Sequence, residues 1–277
     1  MLRPSELINE MMAAIYDRAE KGSPDLPARE IVLGGGLELT DATGRAPVDH
    51  HAIGLMLRYL DPGDTMVDAG AGVGIYSVLA GAILGRRGRV EAFEPSPSVR
   101  PCLEANLRRN GLANVRVHAK LAGGRRMMDP FVDGIGRSGR RRVPGRREWV
   151  RGRHLLSVPS IRIDELLVGR RCSLLRVDAA GYELTVLQGA EELLRRPHAP
   201  ALLVAVDEAA LADFGHTPRQ LVGWLAAREY EVCFYDGERH RIVHAGQPWR
   251  FGRTLFAFPQ SDRNAISRRL ARRAETA

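Results

Sequence analysis

Cysteine is scarce in this chain, with only Cys102, Cys172 and Cys233 among 277 residues and no CxxC pair. That excludes a disulfide framework and a zinc ribbon, and it fits a reducing compartment. Lysine is scarcer still, present only as Lys21 and Lys120. No apolar run reaches the roughly 18 residues of a membrane span. Met1 to Arg18 carry Arg3, Glu6, Glu10, Asp17 and Arg18, where a secretory leader needs an unbroken apolar stretch. Internal repeats are lacking too, as is any platform of aromatics interleaved with basic residues. A soluble, cytoplasmic protein is expected, with nucleic acid last among its candidate partners.

What is there begins with 44% hydrophobic and 27% charged residues, a composition that excludes a disordered chain. The length suits one large domain or two small ones, with a core that needs no metal or disulfide. The net charge is +8, and the stretch from Arg125 to Arg153 alone supplies +7, with ten arginines against Asp129, Asp133 and Glu148. Such a block is either a solvated surface of an arginine-rich chain or a docking arm or lid for an acidic acceptor. Trp149 within it could stack on a sugar or base, or simply pack.

Short β-branched runs alternate with segments of helical period, the pattern of a mostly parallel sheet covered by helices. Seven strands are expected: Thr65 to Ala69, Arg89 to Glu94, Asn114 to Ala119, Ser173 to Asp178, Ala201 to Asp207, Glu231 to Tyr235 and Thr254 to Phe258. Helices are expected over Val73 to Leu84, Ser98 to Asn110, Glu183 to Arg196 and Thr217 to Glu229. Thr217-Pro218 reads as an N-cap followed by proline at the first helical position. No helical period separates the last two strands, so they should close the sheet as an antiparallel pair. The expected organisation is a helical N-terminal extension over residues 1–48, a catalytic domain over 49–261 and a basic tail from 262. The extension would hold one helix from Ser5 to Ala19 and the run Gly34-Gly35-Gly36; the tail is a helix or a frayed end.

The sharpest signal is Val67-Asp68-Ala69-Gly70-Ala71-Gly72-Val73-Gly74, which ends one expected strand and opens a helix. Its glycines let the backbone turn tightly and leave no Cβ between main chain and ligand, and the helix start offers amides to an anion. Glu94 ends the next strand, where a carboxylate can accept both hydroxyls of a ribose. A dinucleotide would want its third glycine three after the second, and Asp68 would repel its phosphate. S-adenosylmethionine has no phosphate, and it brings an ammonium for Asp68, held through the loop, and a carboxylate for the helix start.

On these residues the chain resembles the FkbM-type methyltransferases, from about Asp61 to Pro259. The resemblance rests on Asp61-Pro62-Gly63-Asp64, the Asp68 to Gly74 loop, Phe93-Glu94-Pro95, Asn110-Gly111, and Val158 to Leu167. It continues through Val177-Asp178-Ala179-Ala180-Gly181-Tyr182-Glu183, Leu187-Gln188-Gly189-Ala190 and Leu255-Phe256-Ala257-Phe258-Pro259. It implies a Rossmann-like α/β fold of the class I methyltransferases, a doubly wound, seven-stranded, mostly parallel sheet with an antiparallel last strand. It also implies S-adenosylmethionine as cofactor and methylation of a hydroxyl on a small or mid-sized sugar or secondary metabolite. Asp68, Gly70, Gly72 and Glu94 carry over as cofactor contacts, and Asp178 as the polar residue at the mouth of the fourth strand.

Two departures stand out. Ala180 and Ala205 replace glutamates usual at the active-site rim of such proteins. Either another residue takes the acceptor's proton, with Asp178 and Asp207 the foremost candidates and Glu183, Glu208 and the histidines behind them, or the acceptor needs no base, or catalysis is lost and only cofactor binding persists. The third reading is an RNA-binding or RNA-modifying protein. Asp49-His50-His51 reads as an N-cap with two surface imidazoles. His240 and His244 lack the helix that would make their spacing a metal site, and no metal is expected.

Overall fold

The computed structural model describes residues 29–42, 46, 48–133, 154–244, 248–250 and 254–271. The expected helix from Ser5 to Ala19, Trp149, and residues 134–153 of the arginine-rich stretch lie outside these.

The central sheet takes its strands in the order β12-β11-β13-β10-β9-β3-β4-β5. They are β3 (Thr65–Ala69), β4 (Arg89–Phe93), β5 (Val115–His118), β9 (Leu174–Val177), β10 (Ala201–Ala205), β11 (Tyr230–Asp236), β12 (Arg241–Val243) and β13 (Thr254–Pro259). From β5 to β10 every pairing is parallel, whereas β13 runs antiparallel to both β10 and β11. The fold is the expected doubly wound one, with all seven expected strands in place. The count differs by one, because β12 folds back from β11 through the turn at 237–240 as an antiparallel edge strand. Three residues are too short to carry a periodic signal.

Helices cover both faces. One core layer gathers α1 (His50–Tyr59), α2 (Ile75–Leu84), α3 (Arg100–Arg109) and α9 (Arg263–Ala271). The other gathers α4 (Ile163–Leu166), α5 (Glu183–Gln188), α6 (Glu191–Leu194), α7 (Glu208–Ala212) and α8 (Pro218–Ala226). The expected helix from Glu183 to Arg196 is broken into α5 and α6 at Gly189, where a Cβ would lie 1.9 Å from the Gly123 carbonyl oxygen. Main chain passes there and leaves no room for a side chain. The Thr217 cap is realised as a full capping box with Gln220. The described part of the basic C-terminal stretch is helical as α9, burying Ile266 and Leu270 and laying Arg269 over the Tyr59 ring.

Two smaller sheets complete the fold. The described part of the N-terminal extension is a hairpin, not a helix: β1 (Arg29–Gly34) and β2 (Leu37–Asp41) turn on Gly35 and Gly36, both at positive φ. Leu33, Leu37 and Leu39 bury into the core beside α3, and Asn106 binds the hairpin through both the amide and carbonyl of Thr40. Between β5 and β9 lies the second, with β6 (Leu121–Ala122), β8 (His154–Ile161) and β7 (Met127–Asp133) in that order. Residues 127–133 of the arginine-rich stretch are therefore paired strand, Asp133 opposite His154, the residue that follows the stretch.

Candidate active site

The glycine loop leaves β3 with Gly70, Gly72 and Gly74 all at positive φ, a path that side chains disfavour. It curls over the end of β4, and the Gly70 and Ala71 amides both donate to the Phe93 carbonyl at 3.0 and 2.9 Å. The Gly72 amide donates to Glu94 Oε2 at 2.8 Å, and the Gly74 amide to the Ala71 carbonyl at 3.0 Å. The sequence suggested glycines for a tight turn and close backbone approach, with amides for an anion at the helix start. The loop spends its own amides on its shape, so what it offers a ligand is space, with helix-start donors left to the first turn of α2.

Glu94 is buried, and its Oε1 also accepts from the Ser96 amide at 2.9 Å. Between its neighbours Phe93 and Pro95 and the glycine loop lies a small, partly open pocket of about 30 Å³. Ala69, Gly70, Phe93, Pro95, Leu121 and Phe131 line it, with Lys120 at the edge. Phe131 comes from β7, so the small sheet supplies the outer wall. Its strand end is pinned there by Asp133, whose Oδ1 accepts from the Ser96 and Ser98 hydroxyls at 2.5 and 2.9 Å. Apolar walls, a glycine loop and a buried carboxylate next to them are the kinds of groups that the adenosine half of S-adenosylmethionine would call for.

Behind the loop, Asp68 is fully buried and already held. Ser77 donates to its Oδ2 at 2.6 Å and Arg176 to its Oδ1 at 2.7 Å. Arg176 was not singled out from the sequence, although an arginine inside the apolar run Leu174-Leu175-Arg176-Val177 was the available signal. It faces Asp68 across the β3–β9 ladder and lies two residues before Asp178, to whose Oδ2 it donates at 2.7 Å. Its guanidinium stacks 3.7 Å from the Tyr76 ring centroid. The structure thus brings Asp68 and Asp178 together through one buried cation.

Past Asp178 the chain turns through Ala180 at φ 49° and Gly181 at φ 101°. Glu183 holds this turn: its carboxylate accepts from the Ala179 amide at 3.0 Å and from Gly181 at 2.9 Å. Burial pushes its carboxyl up to about 7, against the pull of those amides. Glu183 therefore organises the turn. Ala180, where a glutamate was the usual residue, occupies the left-handed conformation that costs a side chain about 1 to 2 kcal/mol.

Asp207 lies at the carboxyl edge as expected, but it is exposed and caps α7, accepting from the Ala210 amide at 3.1 Å. Asp49 likewise caps α1 through the His51 and Ala52 amides, and it also accepts from Thr254 at 2.6 Å, tying α1 to β13. His51 Nδ1 accepts from the Gly237 amide at 3.0 Å, so this ring packs inward against the β11–β12 turn. Burial lowers the His50 pKa more than Asp49 raises it, leaving that imidazole neutral at pH 7. His244 pairs with Glu231, and among the described residues no group of three or more potential ligands could hold a metal ion. Nor is any described helix long and apolar enough to cross a membrane.

Residues 68–232, more than half of the chain, match the model of the methyltransferase FkbM domain. No curated protein matches. Among solved structures the chain is similar to Aeropyrum pernix fibrillarin with natively bound S-adenosyl-L-methionine, at 16% identity and a TM-score of 0.42 over 86% of this chain and 85% of that one. It is similar to precorrin-6y C5,15-methyltransferase from Geobacter metallireducens, at 14% identity and 0.43 over 76% and 86%. It is also similar to an rRNA methylase from Streptococcus thermophilus, at 14% and 0.41 over 76% and 96%.

Proposed function

The chain belongs to the FkbM methyltransferase family, and from that premise we propose that it methylates a hydroxyl group on a sugar or secondary metabolite of small or middle size. S-adenosylmethionine is the cofactor, and when bound it supplies a methyl group activated on a sulfonium. Phe93, Pro95, Leu121 and Phe131 would hold the adenine ring, Glu94 the ribose hydroxyls, and Gly70 and Gly72 would let the main chain approach. Much of the rate would come from such positioning.

The observation that carries the acceptor side is Asp178, a half-buried carboxylate at the mouth of β9 beside the glycine loop, its amide bonded to the Ala69 carbonyl at 2.9 Å. A neutral hydroxyl attacks faster when a base takes its proton, a contribution of about 10²- to 10⁴-fold. Asp178 is the preferred of the two candidate carboxylates because it lies beside the glycine loop, whereas Asp207 is an exposed helix cap. The experiment is to incubate the protein with methyl-labelled cofactor and extract from its own organism. Label on a hydroxyl oxygen of a small molecule supports the reading. Label on RNA, or cofactor binding without any transfer, overturns it in favour of one of the two rivals.

A further inference from the structure

Arg176 is a buried cation beneath a site whose ligand is also a cation. Its side chain is 7% exposed, and its charge is permanent at any working pH. It is shared between Asp68 and Asp178 at 2.7 Å each, reaches the Gly70 carbonyl at 3.4 Å, and lies flat on Tyr76. Ser77 and the Tyr76 ring add hydrogen bonding and polarisation without net charge. The two carboxylates and one guanidinium leave the cluster at −1. Gly70, which the guanidinium touches, is also a wall of the cleft.

S-adenosylmethionine and its product S-adenosylhomocysteine differ in one respect that such a cluster can sense: the first is a sulfonium cation, the second a neutral thioether. A net negative charge beside the loop attracts the donor and is nearly indifferent to the product. We infer that Arg176 sets how strongly this site prefers methyl donor over demethylated product, holding Asp178 and Asp68 in place while cancelling one of their two charges. The physical need is plain. Methyl transfer disperses the sulfonium's charge, so an uncancelled pair of carboxylates would stabilise the bound donor more than the transition state and slow the reaction. Without Asp178, the cluster would be neutral and the product would compete better with the donor.

The inference rests on the cofactor assignment above, and one calorimetric series separates the two. The affinities of S-adenosylmethionine and S-adenosylhomocysteine are measured at pH 8 for the full chain and for Arg176→Met, Arg176→Lys and Asp178→Asn. The preference for donor over product should rise about tenfold in Arg176→Met and stay within about twofold in Arg176→Lys. It should fall about tenfold in Asp178→Asn, and tenfold corresponds to about 1.4 kcal/mol. A purely structural role would move both ligands by the same factor, and that result overturns the inference while leaving the cofactor in place. If Arg176→Met fails to fold by circular dichroism, Asp178→Asn decides alone, since asparagine keeps the shape and drops the charge. Should the unaltered chain bind neither ligand, the cofactor assignment falls and this inference with it.

Discussion

Gly181 and Ala210 approach so closely that a Cβ built on the glycine would lie 2.1 Å from the alanine's carbonyl oxygen. The turn after Asp178 is thereby pressed against the first turns of α7, and the main chain has no room to retreat on either side. This contact leaves no room for a side chain at the turn that follows Asp178.

Gly181→Ala should destabilise the protein by about 2 to 4 kcal/mol, adding overpacking to a left-handed backbone conformation. Gly215→Ala is the control, because Gly215 has φ 74° but nothing within 4 Å of the new Cβ. It should cost about 1 to 2 kcal/mol. Equal losses in urea denaturation would show that the contact with Ala210 is soft.

The Glu183 carboxyl titrates at about 7 in the folded chain, above its ordinary value. Between those two values the folded state keeps a proton that the unfolded state has lost. Its stabilisation is therefore fully present below about 4.5 and disappears as pH rises through about 7, a span on the order of 3 kcal/mol. Urea midpoints between pH 5 and 8 should fall for the unaltered chain, and Glu183→Gln should flatten that slope. A slope that the substitution leaves intact would assign the titration to another group.

Phe131 reaches the cleft from the strand whose end Asp133 pins to Ser96 and Ser98. Phe131→Ala should weaken S-adenosylhomocysteine binding by removing a wall of the cleft. Glu94→Gln should cost about 1.5 to 3 kcal/mol through its charged hydrogen bonds, and NAD should not bind. Calorimetry with undiminished affinity in both variants would move the cofactor elsewhere.

Removing residues 136–152 should leave stability and S-adenosylhomocysteine affinity nearly unchanged. The deletion keeps Gly134, Ile135 and Arg153 between the paired Asp133 and His154, and a three-residue connection suits a hairpin. A fall in melting temperature of more than a few degrees would mean that the excised stretch belongs to the core.

With an acceptor in hand, Asp178→Asn should lower kcat by 10² or more with little change in S-adenosylhomocysteine affinity. Asp207→Asn should keep most of the rate, since asparagine caps a helix about as well as aspartate. The opposite ranking would make Asp207 the base, and full activity in both would direct attention to His50.

Much of this architecture was legible along the chain. The seven strands show as β-branched runs, and Thr217-Pro218 announces its helix start. Gly70, Gly72 and Gly74 mark a tight turn wherever they occur, because each signal depends on residues within a few positions of one another. The hairpin at Gly35-Gly36 was legible only as punctuation, since without its neighbours the flanking segments of five and six residues have no face to bury. At the break, Gly189 closely approaches Gly123, 66 residues earlier, and no local pattern records that approach. Asp207 could not be sorted between base and cap until Ala210 closed over it.

Arg176 is the clearest case of what the tertiary structure decided. Its type and its place in a strand were readable, but its partners depend on the register that sets Asp68 opposite it, 108 residues away. Periodicity fixes which face a strand residue takes, whereas only the packed sheet fixes what it meets there.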